Sequence, residues 1–179
     1  HTDPFARMFI QYGASFGYPA SVMSCHVSNA RSAFSDSRLL DYAYRTAAGG
    51  MLGYEMNILD IPADAKAAVR KQIDEYRTYE SLIRTGELYR LLDPTKCGRY
   101  AYYYTSADGS ELLLTYLQQN DDPACTPWRL ALSRAQKDAV YKDVLSGKVF
   151  TGAELRHGLS VTGDGKGSYG MMMHLVKQG

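Results

Sequence analysis

Around Gly86 the spacing of apolar residues changes from helical to alternating. That switch limits what the chain can fold into more than any single motif does. Ahead of it lies the clearest helix, "ADAKAAVRKQIDEYRTYESLIRTG", with Val69, Ile73, Tyr76 and Ile83 on one stripe and charged residues on the other faces. Pro62 opens this helix and Gly86 stands at its C′ position. Behind the switch, from Leu88 onward, apolar residues recur every second position, as they do in strands.

The part before the long helix reads as helix, strand, helix. Thr2-Asp3-Pro4 is an N-cap followed by proline in the first turn, and Phe5, Met8, Phe9 and Tyr12 follow at helical spacing as far as about Phe16. Gly17-Tyr18-Pro19 ends that helix, because the residue before proline is pushed out of the α region. "SVMSCHVS" is short, apolar and rich in β-branched and small residues, and reads as a strand buried on both faces. In "DSRLLDYAYRTAAGGMLGYEMNI", Leu39, Leu40, Ala43, Ala47 and Met51 form one helical stripe, capped by Asp36 or Ser37. Gly49, Gly50 and Gly53 weaken this helix, and either close packing on a sheet or a looser loop accounts for them. Such an alternation is the repeating step of a parallel α/β structure. One strand makes no sheet, so its neighbours are expected upstream of His1. The capped helix at the very start, with no initiator methionine, fits the back part of a larger protein. Alone, residues 1–60 are expected to be disordered, self-associated or covered by another chain, while the half after the switch folds by itself.

That second half reads as an antiparallel sandwich of six to eight strands. "RYAYYYTSADGSELLLTYLQQ" is a hairpin around Ser106-Ala107-Asp108-Gly109. "WRLALSRA", "AVYKDV", "KVFTG" and "YGMMMHLVKQ" are further strands, with a second tight turn in "LSGKVF". "GDGKG" at 163–167 lacks the spacing of a phosphate loop and precedes a strand, so it reads as a hairpin loop.

A net charge of +1 gives no electrostatic case for nucleic acid or an anionic membrane. No apolar run approaches the roughly 20 residues of a membrane span. Cys25, Cys97 and Cys125 are odd in number and widely spaced, against a zinc site or disulfide scaffold and in favour of a reducing, cytoplasmic setting. The 15 tyrosines suit half-buried strands and sugar-facing surfaces alike.

Few residues stand out chemically. Asp3 is first a cap. His26 and Ser28 end the buried strand, where α/β sheets bind ligands. Cys25 and His26 point to opposite faces and make no nucleophile pair. Asp121-Asp122, beside Pro123, read as solvated turn residues. Met171, Met172 and Met173 alternate along a strand, as packing residues do, with His174 the one neighbour that could ligate.

Ordered motifs carry the inference further. "HTDPFARMFIQYGASFGYPASVMSCHVSNAR" resembles the segment of glycoside hydrolase family 36 α-galactosidases running from the seventh to the eighth barrel strand. Thr2, Asp3, Arg7, Ile10-Gln11-Tyr12-Gly13, Tyr18-Pro19 and His26-Val27-Ser28 stand at matching positions. "LGYEMNI" at 52–58 resembles the stretch after barrel helix eight, and "YRLLDP", "AVYKDVLSGKVFTGAEL" and "GLSV" resemble the family's C-terminal β-domain. Cys25 and Asn29-Ala30-Arg31 depart from the family pattern.

The resemblance implies an α+β, multidomain architecture: the end of a TIM (β/α)8 barrel at 1–60, a linking helix at 61–86 and an antiparallel β-sandwich domain at 87–179. It implies a retaining hydrolase acting on α-galactoside sugars such as melibiose or raffinose, a homo-oligomer working without metal or cofactor. The family's acid/base aspartate would fall one position before His1, and its nucleophile further upstream. Neither catalytic carboxylate is then in this chain, which alone would be inactive. Asp3, His26 and Ser28 are left to line the sugar site. A carbohydrate-binding module and a purely structural β-domain are the competing readings.

Overall fold

The structure, a computed structural model, describes residues 1–120 and 124–179. The turn assigned to Asp121, Asp122 and Pro123 lies outside the described residues. The chain divides into two compact units, His1–Arg84 and Thr85–Gly179.

In the first unit, helix α1 (Pro4–Ala14) is followed by strand β1 (Ser24–Ser28), helix α2 (Ser37–Ala47), strand β2 (Met51–Glu55) and the long helix α3 (Ala63–Thr85). Asp3 caps α1 by accepting the Phe5 amide at 2.9 Å. Asp36 caps α2 by accepting the amides of Arg38 and Leu39. Both caps satisfy donors that a helix start leaves open.

The structure corrects three expectations here. The second helix does not run to Met51: it ends at Ala47, and Met51–Glu55 is a strand pairing parallel to β1, His26 opposite Gly53 and Ser28 opposite Glu55. A neighbour for β1 is therefore present within the chain rather than only upstream of it. Nor is β1 buried on both faces. Cys25 and Val27 are fully buried, whereas Ser24 is exposed and His26 and Ser28 are half-buried.

The glycines do mark close packing, but between strands. A Cβ on Gly50 would lie 2.5 Å from Cys25 Sγ, and one on Gly53 would lie 2.6 Å from His26 Cδ2. Helix α3 docks through tyrosines as much as through aliphatic residues. Tyr76 and Tyr79 are buried, and the Tyr79 and Tyr44 hydroxyls lie 2.6 Å apart beside the Glu75 carboxylate. Glu75 in turn pairs with Arg45 at 2.7 Å.

The second unit contains β3 (Glu87–Leu92), the short helix α4 (Pro94–Cys97), β4 (Arg99–Thr105), β5 (Glu111–Gln118), β6 (Trp128–Leu130), β7 (Val140–Asp143), β8 (Val149–Thr151), helix α5 (Gly152–His157), β9 (Leu159–Val161) and β10 (Tyr169–Lys177). Among the described residues the eight strands pair antiparallel, six in one sheet ordered β3-β4-β5-β10-β7-β8 and two in another, β6-β9. One apolar core takes residues from both sheets, among them Tyr103, Leu114, Tyr116 and Tyr141 from the first and Leu130 and Val161 from the second.

The two expected turns, β4–β5 and β7–β8, are hairpins. "GDGKG" is not one, because it carries the chain from β9 in the small sheet to β10 in the large sheet. Helix α5 replaces loop where "KVFTG" was expected to end. Thr151 accepts the Glu154 amide while Glu154 accepts the Thr151 amide, a reciprocal cap strong enough for six residues of helix. Met172 is buried, while Met171 and Met173 pack on the shared core from the other face. His174 is paired with Glu111 at 2.7 Å.

Candidate functional site

The polar residues of the first unit gather on one face of the β1–β2 pair and at its carboxyl end. Alternation along β1 sets this arrangement. Cys25 and Val27 point into the packed side, where Arg7 of α1 meets Cys25, leaving Ser24, His26 and Ser28 on the less buried side. Burial pushes the Cys25 thiol up, and the nearby Arg7 guanidinium opposes that shift only in part. It is a packing residue, not a nucleophile.

His26 sits between two partners. Its Nε2 is 3.3 Å from the Ser24 hydroxyl and its Nδ1 is 3.5 Å from Glu55 Oε2. This ordering is that of a hydroxyl–imidazole–carboxylate relay. The separations are at the outer limit of hydrogen bonding, so the row orients the ring rather than activating Ser24. Glu55 enters because parallel register puts it on the face of Gly53 and Met51, diagonal to His26.

Ser28 is turned toward the chain start. Its hydroxyl donates to the Thr2 carbonyl at 3.4 Å and accepts the Ala30 amide at 3.1 Å. Asp3 is occupied on both oxygens: Oδ1 caps α1, and Oδ2 accepts from Arg31 at 2.9 Å. Of the three expected lining residues, Asp3 and Ser28 are joined through Thr2 and the loop after β1, and His26 stands two residues before Ser28 on the same face of the strand. Arg7, Arg31, Ser24 and Glu55 were missed. Among the described residues no group of three or more His, Cys, Asp or Glu side chains could hold a metal.

A separate cleft of about 400 Å³ beside β2 is lined by Tyr54, Met56, Ile58, Ile61, Lys66, Val69, Arg70 and Ile73. Its wall is mainly apolar, with Lys66 and Arg70 as its charged residues.

Residues 1–86 match the melibiase family model, and residues 99–175 match the glycosyl hydrolase family 36 C-terminal domain. The bifunctional α-galactosidase/sucrose kinase AgaSK of Mediterraneibacter gnavus is 34% identical over 159 residues, which are 88% of this chain and 17% of that protein. The α-galactosidase AgaA of Geobacillus stearothermophilus is 35% identical over 120 residues, 66% of this chain and 16% of the relative. Among solved structures, AgaA in complex with raffinose superposes with a TM-score of 0.87 at 29% identity, over 99% of this chain and 25% of that one. The galactosidase domain of AgaSK gives a TM-score of 0.87 at 30% identity, with the same coverage.

Both units thus match domains of glycoside hydrolases. The chain belongs to glycoside hydrolase family 36. It spans between 16% and 21% of the length of the curated relatives it matches.

Proposed function

We propose that the chain is the C-terminal part of a retaining α-galactosidase that removes terminal α-linked galactose from sugars such as melibiose and raffinose. Residues 1–60 are the last two strand–helix steps of an eight-stranded barrel, 61–86 the link and 87–179 a β-sandwich. With two parallel strands where the sequence suggested one, we read β1 as the seventh barrel strand and β2 as the eighth, one strand earlier for β1 than the resemblance implied. One observation carries this reading: in the parallel pair β1–β2, Cys25 and Val27 are buried on one face, while the other presents Ser24, His26 and Ser28, with Ser28 at the carboxyl end where barrel enzymes bind substrate. The relatives named as α-galactosidases support it.

Retaining hydrolysis needs two carboxyl groups about 5 Å apart, one attacking the anomeric carbon and one protonating the leaving oxygen. Asp3 is unsuited to either role, with one oxygen in a helix cap and the other on Arg31. We assign the acid/base to the aspartate expected one position before His1 and the nucleophile to a strand further upstream. His26 and Ser28 border the sugar.

The test compares the 179-residue chain with the full-length enzyme, this chain preceded by its upstream residues, at equal molar concentration on an aryl α-galactoside. Turnover is expected from the longer protein only. Turnover by the short chain that disappears in Asp3→Asn would place the acid at Asp3 and refute the assignment.

A further inference from the structure

We infer that Arg31, with Arg7 and Ser28, is a clamp that positions the general acid of the α-galactosidase reaction; the inference rests on the function proposed above. Each of the first three residues is held by a side chain from elsewhere in the unit. The His1 carbonyl accepts from Arg7 Nη2, and Arg7 Nη1 reaches the Ser24 carbonyl of β1 at 3.3 Å. The Thr2 carbonyl accepts from the Ser28 hydroxyl at the end of β1. The Asp3 carboxylate receives both Nε and Nη2 of Arg31 at 2.9 Å. Arg7 is only 4% exposed, so its guanidinium is a fixed internal strut rather than a surface charge.

Arg31 reaches Asp3 through an unusual backbone. Arg31 and Ser32 both lie in the left-handed region, with φ of 55° and 60°. Residues with a Cβ hold that conformation only where the surroundings over-determine it. Here the Asn29 side chain accepts the Phe34 amide at 3.0 Å, the Asn29 carbonyl accepts the Ser32 amide at 3.0 Å, and Ser28 accepts the Ala30 amide. The Arg31 guanidinium lies over the Phe5 ring, 4.6 Å from its centroid, and Phe5 packs on Tyr42. Loop, strand end and helix start are thereby locked together around the segment that follows the acid.

A general acid works only within hydrogen-bonding reach of the leaving oxygen. Its backbone is continuous with His1, so a slack clamp moves the acid and leaves the sugar contacts of His26 in place. Arg31 is therefore a positioning residue, and its fork cannot be reproduced by a single ammonium.

Leaving-group dependence in the full-length enzyme tests this. An alkyl α-galactoside needs its leaving oxygen protonated, whereas a dinitrophenyl α-galactoside departs as a stable anion; kcat/KM reports the bond-breaking step for both. Arg31→Gln is expected to lose about 10- to 100-fold on the alkyl substrate and under about threefold on the dinitrophenyl one. Arg31→Lys should fall between. Asp3→Asn, which keeps an oxygen for the helix cap, should match Arg31→Gln, and the double variant should be no worse than either single. Arg31→Lys and Asp3→Asn carry the comparison should Arg31→Gln fail to fold.

Equal losses on both substrates would reduce Arg31 to a structural role, and no loss on either would remove the role altogether. A loss in Asp3→Asn far beyond that of Arg31→Gln would make Asp3 the acid. Each of these overturns the clamp. Absence of turnover by the wild-type full-length enzyme on either galactoside would instead refute the proposed function.

Discussion

Replacing Tyr141 by phenylalanine removes one oxygen from the interior of the β unit and leaves the ring where it is. Tyr141 is fully buried within the core shared by the two sheets. Its hydroxyl donates to the Gly109 carbonyl at 2.6 Å and accepts the Gln136 amide at 2.7 Å, tying the β4–β5 turn to the segment before β7. Each such bond contributes about 1 kcal/mol net, and each buried partner left without one costs about 1–3 kcal/mol. The change should therefore destabilise the unit by about 2–4 kcal/mol, although no apolar contact is lost. Tyr103→Phe is the control. Its hydroxyl sits 3.2 Å from Ser133 Oγ and 3.3 Å from the Arg134 amide, longer bonds to residues that are themselves exposed, so about 1 kcal/mol is expected. Urea unfolding of both variants gives the comparison, and amide exchange at Gln136 should rise only in Tyr141→Phe. A Tyr141→Phe cost below that of Tyr103→Phe, or an unchanged Gln136 exchange rate, would refute the assignment of these bonds as structural ties.

Two other outcomes follow from steric fit and from buried titration. A Cβ on Gly152 would stand 1.7 Å from the Gln136 carbonyl oxygen, so Gly152→Ala must displace backbone and should lower stability by at least about 2 kcal/mol in the same urea assay. Burial raises the hydroxyl pKa of Tyr42, Tyr44 and Tyr79 above the ordinary tyrosine value. Protonated tyrosine is then favoured in the folded state, so that stability is whole below about pH 10, the unfolded value, and is lost as pH rises further. Amide exchange in α2 and α3 should accelerate beyond the intrinsic pH effect above that point, and Tyr44→Phe should weaken the dependence.

What was legible in the sequence was what repeats. Helix α3 was plain because its period persists for six turns with charge on the free faces. The β4–β5 hairpin was plain because alternation flanks an Asp-Gly turn. Strand β2 was hidden because Met51 continues the spacing of Leu40, Ala43 and Ala47. Only the break at Gly49-Gly50 and the fit of Gly50 against Cys25 reveal that the helix has stopped. Helix α5 was hidden by brevity, although Thr151 and Glu154 stand at the spacing of a reciprocal cap, the signal that could have found it.

The polar strand face was foreseeable from alternation, once β1 was placed. Its partners were not. Glu55 lies 29 positions after His26 and Arg31 lies 28 after Asp3, and no local period joins them. Arg31 also needs a left-handed backbone that its residue type does not advertise.

Trp128 is the single tryptophan of the chain; it lies in β6, half-buried against the core of the β unit, with the Arg99 guanidinium 5.7 Å from its ring centroid. The first unit has tyrosine and phenylalanine but no indole. The chain therefore carries a built-in optical division. Red-edge excitation selects emission from residues 85–179 alone, and melting of residues 1–84 leaves that emission unchanged unless the two units unfold together. Near-ultraviolet dichroism, to which tyrosines of both units contribute, registers either event. Recording the two signals during one titration separates independent from concerted unfolding without any label being added.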